Sequence, residues 1–280
     1  MRDSHADRLI AQNVAAYDLV ATTYDDSHPE IFNAVEQARL AGAVREVLAA
    51  AGHRDDAPAR VLDVGAGTGN LTAHFLSAGA RVLAADVSGE CLRVVRRKFS
   101  STGRLETQLI DGRSLAPMAD GTVDVAACYS VLHHVPDYVA LVVEMARVVR
   151  AGGLVYLDHE RHDESWLPSA ARDQFLADAV RWPPKSWTRF ITPRNYWNRL
   201  RPLLIWQRWF NRRWMPEGDL HIWPEDHIEW AQIERRLLEV GVAPLLVTDH
   251  LQYEARYQRD AWERWKDRVT DYRMWVGRKR

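Results

Sequence analysis

The sequence predicts an α/β fold in which a mostly parallel sheet carries helices on both faces. Its first indication is residues 61–70, where a short apolar strand runs into a glycine turn and then a helix. Further apolar segments alternate with helical segments up to residue 160, and such alternation builds parallel sheets. Several predicted strands also end in a polar residue, and the carboxyl ends of parallel strands share one edge.

The turn after the first strand distinguishes two classes of ligand. A dinucleotide turn is Gly-x-Gly-x-x-Gly or Ala, because its third small residue lets the helix pack beneath a pyrophosphate. Here the pattern is Gly-x-Gly-x-Gly from Gly65, and Asn70 stands where the third small residue belongs. Asp63, two residues before Gly65, would repel a pyrophosphate and attract an ammonium group. S-adenosylmethionine (SAM) carries an ammonium group and no phosphate.

Residues 61–70, Val-Leu-Asp-Val-Gly-Ala-Gly-Thr-Gly-Asn, resemble motif I of the class I SAM-dependent methyltransferases. Residues 131–137, Val-Leu-His-His-Val-Pro-Asp, and the Arg-Ala-Gly-Gly helix stop at 150–153 resemble the UbiE/type 11 group of small-molecule methyltransferases. The resemblance covers residues 61–160. It implies a Rossmann-like seven-stranded sheet, SAM as cofactor and S-adenosylhomocysteine (SAH) as product.

The resemblance also implies which residues hold the cofactor. Asp86, 23 residues after Asp63, ends the second predicted strand and would accept the ribose hydroxyls. Asp111 follows the third strand and would meet the adenine amino group, while Gly112 leaves room for the ring. The complete set of expected cofactor-binding residues is Tyr24, Asp63, Gly65, Ala66, Gly67, Gly69, Asp86, Val87, Asp111, Gly112 and Ser130.

Four segments are expected along the chain. Residues 1–51 are helical, and their repeated Tyr-Asp at Tyr17 and Tyr24 resembles an N-terminal lid that folds over the cofactor; the alternative is simple helix packing. Residues 52–160 form the SAM-binding core. Its strands are expected at 61–64, 81–86, 105–110, 123–130 and 154–158, and its crossover helices at 71–78, 91–99 and 138–149.

Residues 161–225 interrupt the alternation and are expected to form a helical cap over the acceptor. They carry most of the tryptophans, and from 182 to 213 there are basic residues and no acidic ones. Three interpretations stay open: a small tryptophan core with solvated arginines, an acceptor pocket with aromatic walls and a cation, or a lipid-facing surface.

Residues 226–280 are expected to complete the sheet. The pattern predicts a helix over 226–240 that Asp226 caps and Gly241 ends. A sixth strand follows at 243–248, then a helix within 254–270 and a closing strand at 272–277, antiparallel if it follows the family pattern.

Methyl transfer needs a base near the strand ends, since the acceptor must lose a proton. His133 and His134 follow the fourth strand, and His159 and Glu160 follow the fifth. His159 is the preferred base because it lies where the cap begins, while the alternative for His134 is a structural role between loop backbones. The residues expected to contact the acceptor are Tyr17, His162, His221 and His227, and no metal is expected.

The composition of the chain indicates which classes of binding partner and which compartment to expect. The formal net charge of −1 gives no case for nucleic acid, and the RNA or DNA methyltransferase alternative lacks an Asn/Asp-Pro-Pro-aromatic motif at 128–131. Cys91 and Cys128 lack metal-ligand spacing and favour a reducing compartment. With no apolar run of membrane-spanning length and no signal peptide, a cytoplasmic protein without stable membrane association is expected.

The expected reaction is methylation of oxygen or nitrogen on a small acceptor, anionic or aromatic, in the biosynthesis of a specialised metabolite. The main alternative is a SAM-using enzyme of the same fold that catalyses an intramolecular displacement or elimination on SAM. A binding module without catalysis is disfavoured by the intact cofactor motifs.

Overall fold

The computed structural model describes residues 4–180, residue 223 and residues 227–280. Within them, seven strands form a single sheet in the order β3-β2-β1-β4-β5-β7-β6. All neighbours are parallel except β7, which runs antiparallel to both β5 and β6. The strands are β1 Arg60–Val64, β2 Arg81–Asp86, β3 Leu105–Leu109, β4 Val123–Tyr129, β5 Val149–Arg161, β6 Val242–His250 and β7 Tyr272–Lys279. The predicted Rossmann-like α/β fold is confirmed.

Helices precede the sheet and connect its strands. Several begin at the side-chain caps that the sequence offers: Asn33 accepts from the backbone of Val35 and Glu36, and Ser88 from that of Cys91. The helices are α1 Ser4–Val20, α2 Tyr24–Ser27, α3 Ala34–Ala50, α4 Asn70–Ser77, α5 Gly89–Lys98, α6 Tyr138–Val148, α7 Ala170–Ala179, α8 Trp230–Glu239 and α9 Arg259–Trp265.

Among these described helices, none is both long enough and apolar enough to cross a membrane.

Several boundaries differ from the prediction, and three of the differences change how a segment is interpreted. Helix α8 begins at Trp230, whereas the prediction placed its start at Asp226, a residue outside the described ones. The segment just before α8 is extended because Ile228 is buried and the Glu229 backbone N–H donates to the Tyr138 hydroxyl. The helix expected within 254–270 covers only Arg259–Trp265. The glycines at 152 and 153 lie inside β5 instead of ending a helix.

The core consists of one apolar layer on each face of the sheet, because successive strand side chains point to opposite faces. On one face, Leu62 and Val64 pack with α6 and α8. On the other face, Val61 packs with Leu40 of α3 and Phe75 of α4.

A buried ion pair joins α3 to the carboxyl end of β5. Arg39 Nη1 lies 3.1 Å from an oxygen of Asp158, and its Nε lies 3.0 Å from Glu36. Asp158 is fully buried and also accepts the Tyr156 hydroxyl at 2.6 Å, while Glu36 accepts the Tyr253 backbone N–H at 2.7 Å. One guanidinium therefore neutralises two buried carboxylates and holds three segments together.

Arg39→Met should destabilise the fold by about 3–5 kcal/mol, because it leaves Asp158 and Glu36 buried without a cation. Arg54→Met is the matched control, since the ion pair of Arg54 with Asp56 is largely exposed and contributes little. Urea unfolding of both variants measures the difference. Equal midpoints for the two would show that the buried pair does not support the fold.

Candidate functional site

A cavity opens at the carboxyl edge of β1, β2 and β4, beneath the N-terminal helices. It is the position at which α/β sheets bind ligands, because loops there diverge at the point where strand order reverses. The glycine turn, the ends of β2 and β4 and the inner faces of α1 and α2 supply its walls. The predicted cofactor residues that line it are Tyr24, Gly65, Ala66, Gly67, Asp86, Val87, Gly112 and Ser130.

The glycine turn folds tightly against the end of β2. The backbone N–H groups of Gly65 and Ala66 both donate to the Ala85 carbonyl, at 2.8 and 3.1 Å. Gly67 has a φ of +51°, and a Cβ added there would meet no atom within 4 Å. The space that a side chain would fill at this position is therefore part of the cavity. This turn therefore presents bare backbone to a ligand, as the sequence pattern predicts.

Asp86 stands at the cavity end of β2. It accepts the backbone N–H groups of Gly67 and Ser88, both at 2.8 Å, and is almost completely buried. Burial raises the pKa of this carboxyl, and the two N–H donors oppose that rise. A carboxylate has capacity for further donors after two such bonds, so Asp86 can also accept ligand hydroxyls.

Asp63 lies beneath the turn and does not line the cavity. Its Oδ2 accepts the Thr72 hydroxyl at 2.5 Å, and its buried Oδ1 has no hydrogen-bond partner in the part of the chain that the structure describes. Burial raises the pKa of Asp63 to about 7. An unsatisfied carboxylate oxygen under the turn suits a nearby ammonium group or a water that bridges to one, so its expected role toward the cofactor ammonium remains a prediction.

Asp111 is placed differently from the prediction. Its exposed carboxylate accepts the backbone N–H groups of Arg113 and Ser114 in its own turn, at 2.9 and 2.8 Å, and it does not line the cavity. Short acidic side chains commonly form such local turns, which accounts for the orientation. Gly69 also lies outside the cavity, where it begins α4 and packs against Phe99.

The N-terminal helices α1 and α2, here called the lid, close the cavity by contacting the loop after each of the first four strands. Ion pairs and hydrogen bonds to side chains make these contacts, and Asn13 also donates to the His134 carbonyl at 3.3 Å. The contacts are Asp25 to Thr68 at 2.6 Å, Asp18 to Ser88 at 2.5 Å, Asp7 to Arg113 at 2.8 Å and Tyr17 to His134 at 3.3 Å.

His134 is the candidate base that lines the cavity. It lies in the turn after β4, and its Nε2 is 3.3 Å from the hydroxyl of Tyr17, whose ring also lines the cavity. The two rings meet edge to face, with centroids 6.0 Å apart. The lid therefore contacts the β4 loop at Nε2 of His134, and a histidine ring nitrogen can take up or release a proton.

His133 and Glu160 face away from the cavity, in contrast to the prediction that they could act as bases. Glu160 is fully buried, accepts the backbone N–H groups of Val131 and Leu132 at 2.7 and 2.6 Å, and lies 2.8 Å from His133 Nδ1. Among the described residues, all of its side-chain hydrogen bonds go to the turn that carries His134. Glu160 therefore holds that turn in place rather than meeting a substrate.

The other predicted histidines do not gather at the cavity. His159, the preferred base of the sequence analysis, is enclosed between the rings of Tyr129 and Tyr272 and does not line the cavity. His162 is buried with its Nε2 3.0 Å from the Thr270 hydroxyl. His227 is exposed, 3.8 Å from Asp163, and His221 lies outside the described residues.

Several cavity residues were missed in the sequence analysis. Ile10 and Asn13 precede Tyr17 at helical spacing, so one face of α1 could have been predicted to line the site. Phe32 and Tyr129 also line the cavity, but no motif marks the loop that carries Phe32. Within residues 4–180 and 227–280, no three His, Cys, Asp or Glu side chains form a group that could hold a metal ion.

Comparisons with known proteins show which family and which fold the chain resembles. Residues 62–157 match the family described as a methyltransferase domain. A ubiquinone biosynthesis O-methyltransferase of Thiobacillus denitrificans is 30% identical over 136 residues, which are 48% of this chain and 59% of that protein. The chain thus matches about three fifths of the length of that curated relative.

Solved structures share the fold at low identity. A SAM-dependent methyltransferase of Mesorhizobium loti has a TM-score of 0.54 and 18% identity, covering 85% of this chain and 96% of that chain. The 1,6-didemethyltoxoflavin-N1-methyltransferase of Burkholderia thailandensis, solved with SAH bound, has a TM-score of 0.53 and 17% identity, covering 95% and 87%. The predicted resemblance to the UbiE/type 11 group and SAM as the cofactor are confirmed by these findings.

Asp86→Asn should weaken SAM about tenfold to a hundredfold, because hydrogen bonds to a charged group are worth roughly 1.5–3 kcal/mol each. Asp111→Asn is the matched control, since Asp111 does not line the cavity. Calorimetric titration of both variants with SAM compares them. An Asp111 variant that loses as much affinity as the Asp86 variant would restore Asp111 to the adenine site.

Gly67→Ala should place a methyl group in the cavity and reduce SAM affinity at least tenfold, the equivalent of about 1.4 kcal/mol. Gly52→Ala is the control, because Gly52 also has a positive φ and open space around it but lies in the turn after α3. Both variants should lose about 1–2 kcal/mol of stability from the left-handed backbone. Unchanged SAM affinity in Gly67→Ala would mean that the turn does not face the cofactor.

Asp63→Asn should remove a pH-dependent loss of stability. In the unfolded chain Asp63 ionises near pH 4, whereas the folded carboxyl keeps its proton up to about pH 7. The wild type should therefore lose unfolding free energy as pH rises between these values, by up to about 1.4 kcal/mol per unit. Urea unfolding of both proteins at pH 5, 6 and 7 measures this, and parallel pH curves would contradict the raised pKa.

Proposed function

We propose that this chain, whose residues 62–157 form a class I SAM-dependent methyltransferase domain of the UbiE/type 11 group, methylates oxygen or nitrogen of a small metabolite. One observation carries the proposal: a single cavity joins the glycine turn and Asp86 to a wall of aromatic rings that includes His134. The cofactor and a proton acceptor for the second substrate thus share one enclosed space.

The cofactor would occupy the half of the cavity formed by the glycine turn and β2. Asp86 would accept the ribose hydroxyls, and Val87 and Gly112 would flank the adenine ring. Gly112 has little spare room, because a Cβ there would lie 2.9 Å from a Val87 methyl group. Bound SAM supplies a sulfonium methyl group, which is already a strong electrophile.

The acceptor would occupy the half lined by Tyr17, Tyr24, Phe32, Tyr129 and His134. Tyr24 lies 6.0 Å from Tyr17 and 6.5 Å from Phe32 between ring centroids, so these rings form a continuous wall. Aromatic walls with a few polar groups favour a planar or aromatic acceptor. The related ubiquinone biosynthesis O-methyltransferase supports a hydroxyl as the methylated group, in a biosynthetic reaction.

His134 would act as the general base. The acceptor hydroxyl would release its proton to Nε2 as its oxygen forms the new bond to the methyl carbon, and the carbon–sulfur bond electrons would return to sulfur. The Tyr17 hydroxyl, 3.3 Å from the same nitrogen, would give up this position to the acceptor hydroxyl and would orient the acceptor instead. Because Tyr17 belongs to α1, the lid must be closed for this arrangement, which excludes water from the reaction.

The proposal is tested by incubating the protein with methyl-tritiated SAM and a panel of phenols and amines. Transfer of label to an acceptor in step with SAH formation supports it. Methylthioadenosine formed from SAM alone would indicate the non-methylating alternative instead. SAM binding without either product over the whole panel would contradict methyl transfer to these two acceptor classes.

His134→Gln should lower turnover about a hundredfold with the SAM dissociation constant changed less than about twofold, since loss of a general base costs this much. His227→Gln is the matched control, because His227 is exposed and does not line the cavity. Steady-state kinetics with the best acceptor from the panel gives the comparison. If His159→Gln lost turnover instead and His134→Gln kept it, the two roles would be reversed.

A further inference from the structure

Two residues other than glycine have a left-handed backbone among the described residues, and they lie at the carboxyl ends of two strands that pair with each other. Ser130, with φ +58°, follows β4, and His159, with φ +63°, lies near the end of β5. They are neighbours in space, because Ser130 donates its backbone N–H to the Asp158 carbonyl at 3.0 Å. Left-handed residues of this kind cost free energy and persist where the surroundings impose them.

His159 lies where β5 departs from regular pairing. The register between β5 and β7 shifts between Leu157 and Glu160, and the His159 backbone N–H bonds to the Asp158 carboxylate at 2.7 Å. Such irregularities re-aim side chains next to functional sites. Here the shift directs the imidazole between two aromatic rings.

The imidazole of His159 is the middle ring of a three-ring stack. Its centroid lies 4.7 Å from that of Tyr129, at an interplanar angle of 15°, and 4.1 Å from that of Tyr272, at 7°. Tyr129 lines the cavity, whereas Tyr272 belongs to β7. The stack therefore connects the cavity wall to the antiparallel part of the sheet.

The nitrogens of His159 contribute little to this arrangement. Among the residues that the structure describes, buried Nδ1 has no hydrogen-bond partner. The one hydrogen-bonding contact of Nε2 there is, at 3.4 Å, with the Gln252 amide, which also donates to the Glu30 carbonyl at 3.0 Å. Burial, and next the positive charge of Arg39, hold the pKa of His159 well below its usual range. The side chain is therefore a neutral flat ring whose main contacts are through its faces.

We propose that His159 is a positioning residue, which holds the ring of Tyr129 in the acceptor wall by stacking between Tyr129 and Tyr272. It acts through its planar shape and takes no proton from the acceptor. The proposal rests on the proposed function for the role of that wall, because the shape of the wall decides which acceptors fit. Stacked pairs are worth enough to change the population or rate of a ring motion about tenfold.

The test compares His159→Phe with His159→Asn. Phenylalanine keeps a flat ring and has no nitrogen, whereas asparagine tolerates the left-handed backbone well but cannot stack. Tyrosines are labelled with carbon-13 at the ε positions, and Tyr129→Phe assigns the Tyr129 signal in the SAH complex. The flip rate of the Tyr129 ring should rise about tenfold in the Asn variant and stay at the wild-type value in the Phe variant.

Two results would overturn the proposal. Wild-type flip rates in both variants would show that the stack does not hold Tyr129, and faster flipping in both would show that a flat ring at position 159 is not sufficient to hold it. With an acceptor identified, His159→Asn should raise its KM about tenfold while His159→Phe keeps the wild-type KM and pH profile. Calorimetry should show SAH affinity within about twofold of wild type in both variants. A wild type that binds no SAH would contradict the proposed function, and the Tyr129 flip rates measured in the free protein would still test the stack.

Discussion

Parallel alignment of β1, β2, β4 and β5 is the constraint on which the rest of this structure depends. It brings four strand ends and their loops to one edge of the sheet. Several loops together can form a site there, which no single strand could do. Two hydrogen bonds from the glycine turn to the Ala85 carbonyl then fix the first loop against the second strand. As a result Asp86 lies directly under the backbone of Gly67, and the cavity acquires its polar floor.

Four buried acids at these strand ends differ in what neutralises them. Asp158 has a guanidinium, and Glu160 has two backbone N–H groups beside a histidine, so both are fully occupied within the protein. Asp86 is bonded by two N–H groups but faces the cavity, and Asp63 keeps one oxygen unsatisfied. Burying an unpaired carboxylate costs free energy, so a buried acid needs partners. Asp158 and Glu160 find theirs within the protein, whereas Asp86 and Asp63 keep the capacity to bind a cofactor.

The lid completes the site from the opposite side of the edge. Its polar contacts reach all four loops, and its aromatic side chains face inward beside His134. The part of the cavity that is lined by Tyr17 and His134 is therefore built jointly by the first helix of the chain and by the turn that Glu160 holds in place.

The sequence by itself determined the fold and most of the cofactor half, because both depend on local patterns. Strand periodicity, the glycine turn and the acid that ends β2 are set by neighbouring residues, and they appear in the structure where the pattern put them. Only the tertiary structure decided the role of each histidine and acid after β4 and β5. His134 follows β4, and His159 and Glu160 lie among the last residues of β5, but their burial and partners come from α1, β7 and the β4 loop. These contacts join residues far apart in the chain, and no local spacing in the sequence reveals them.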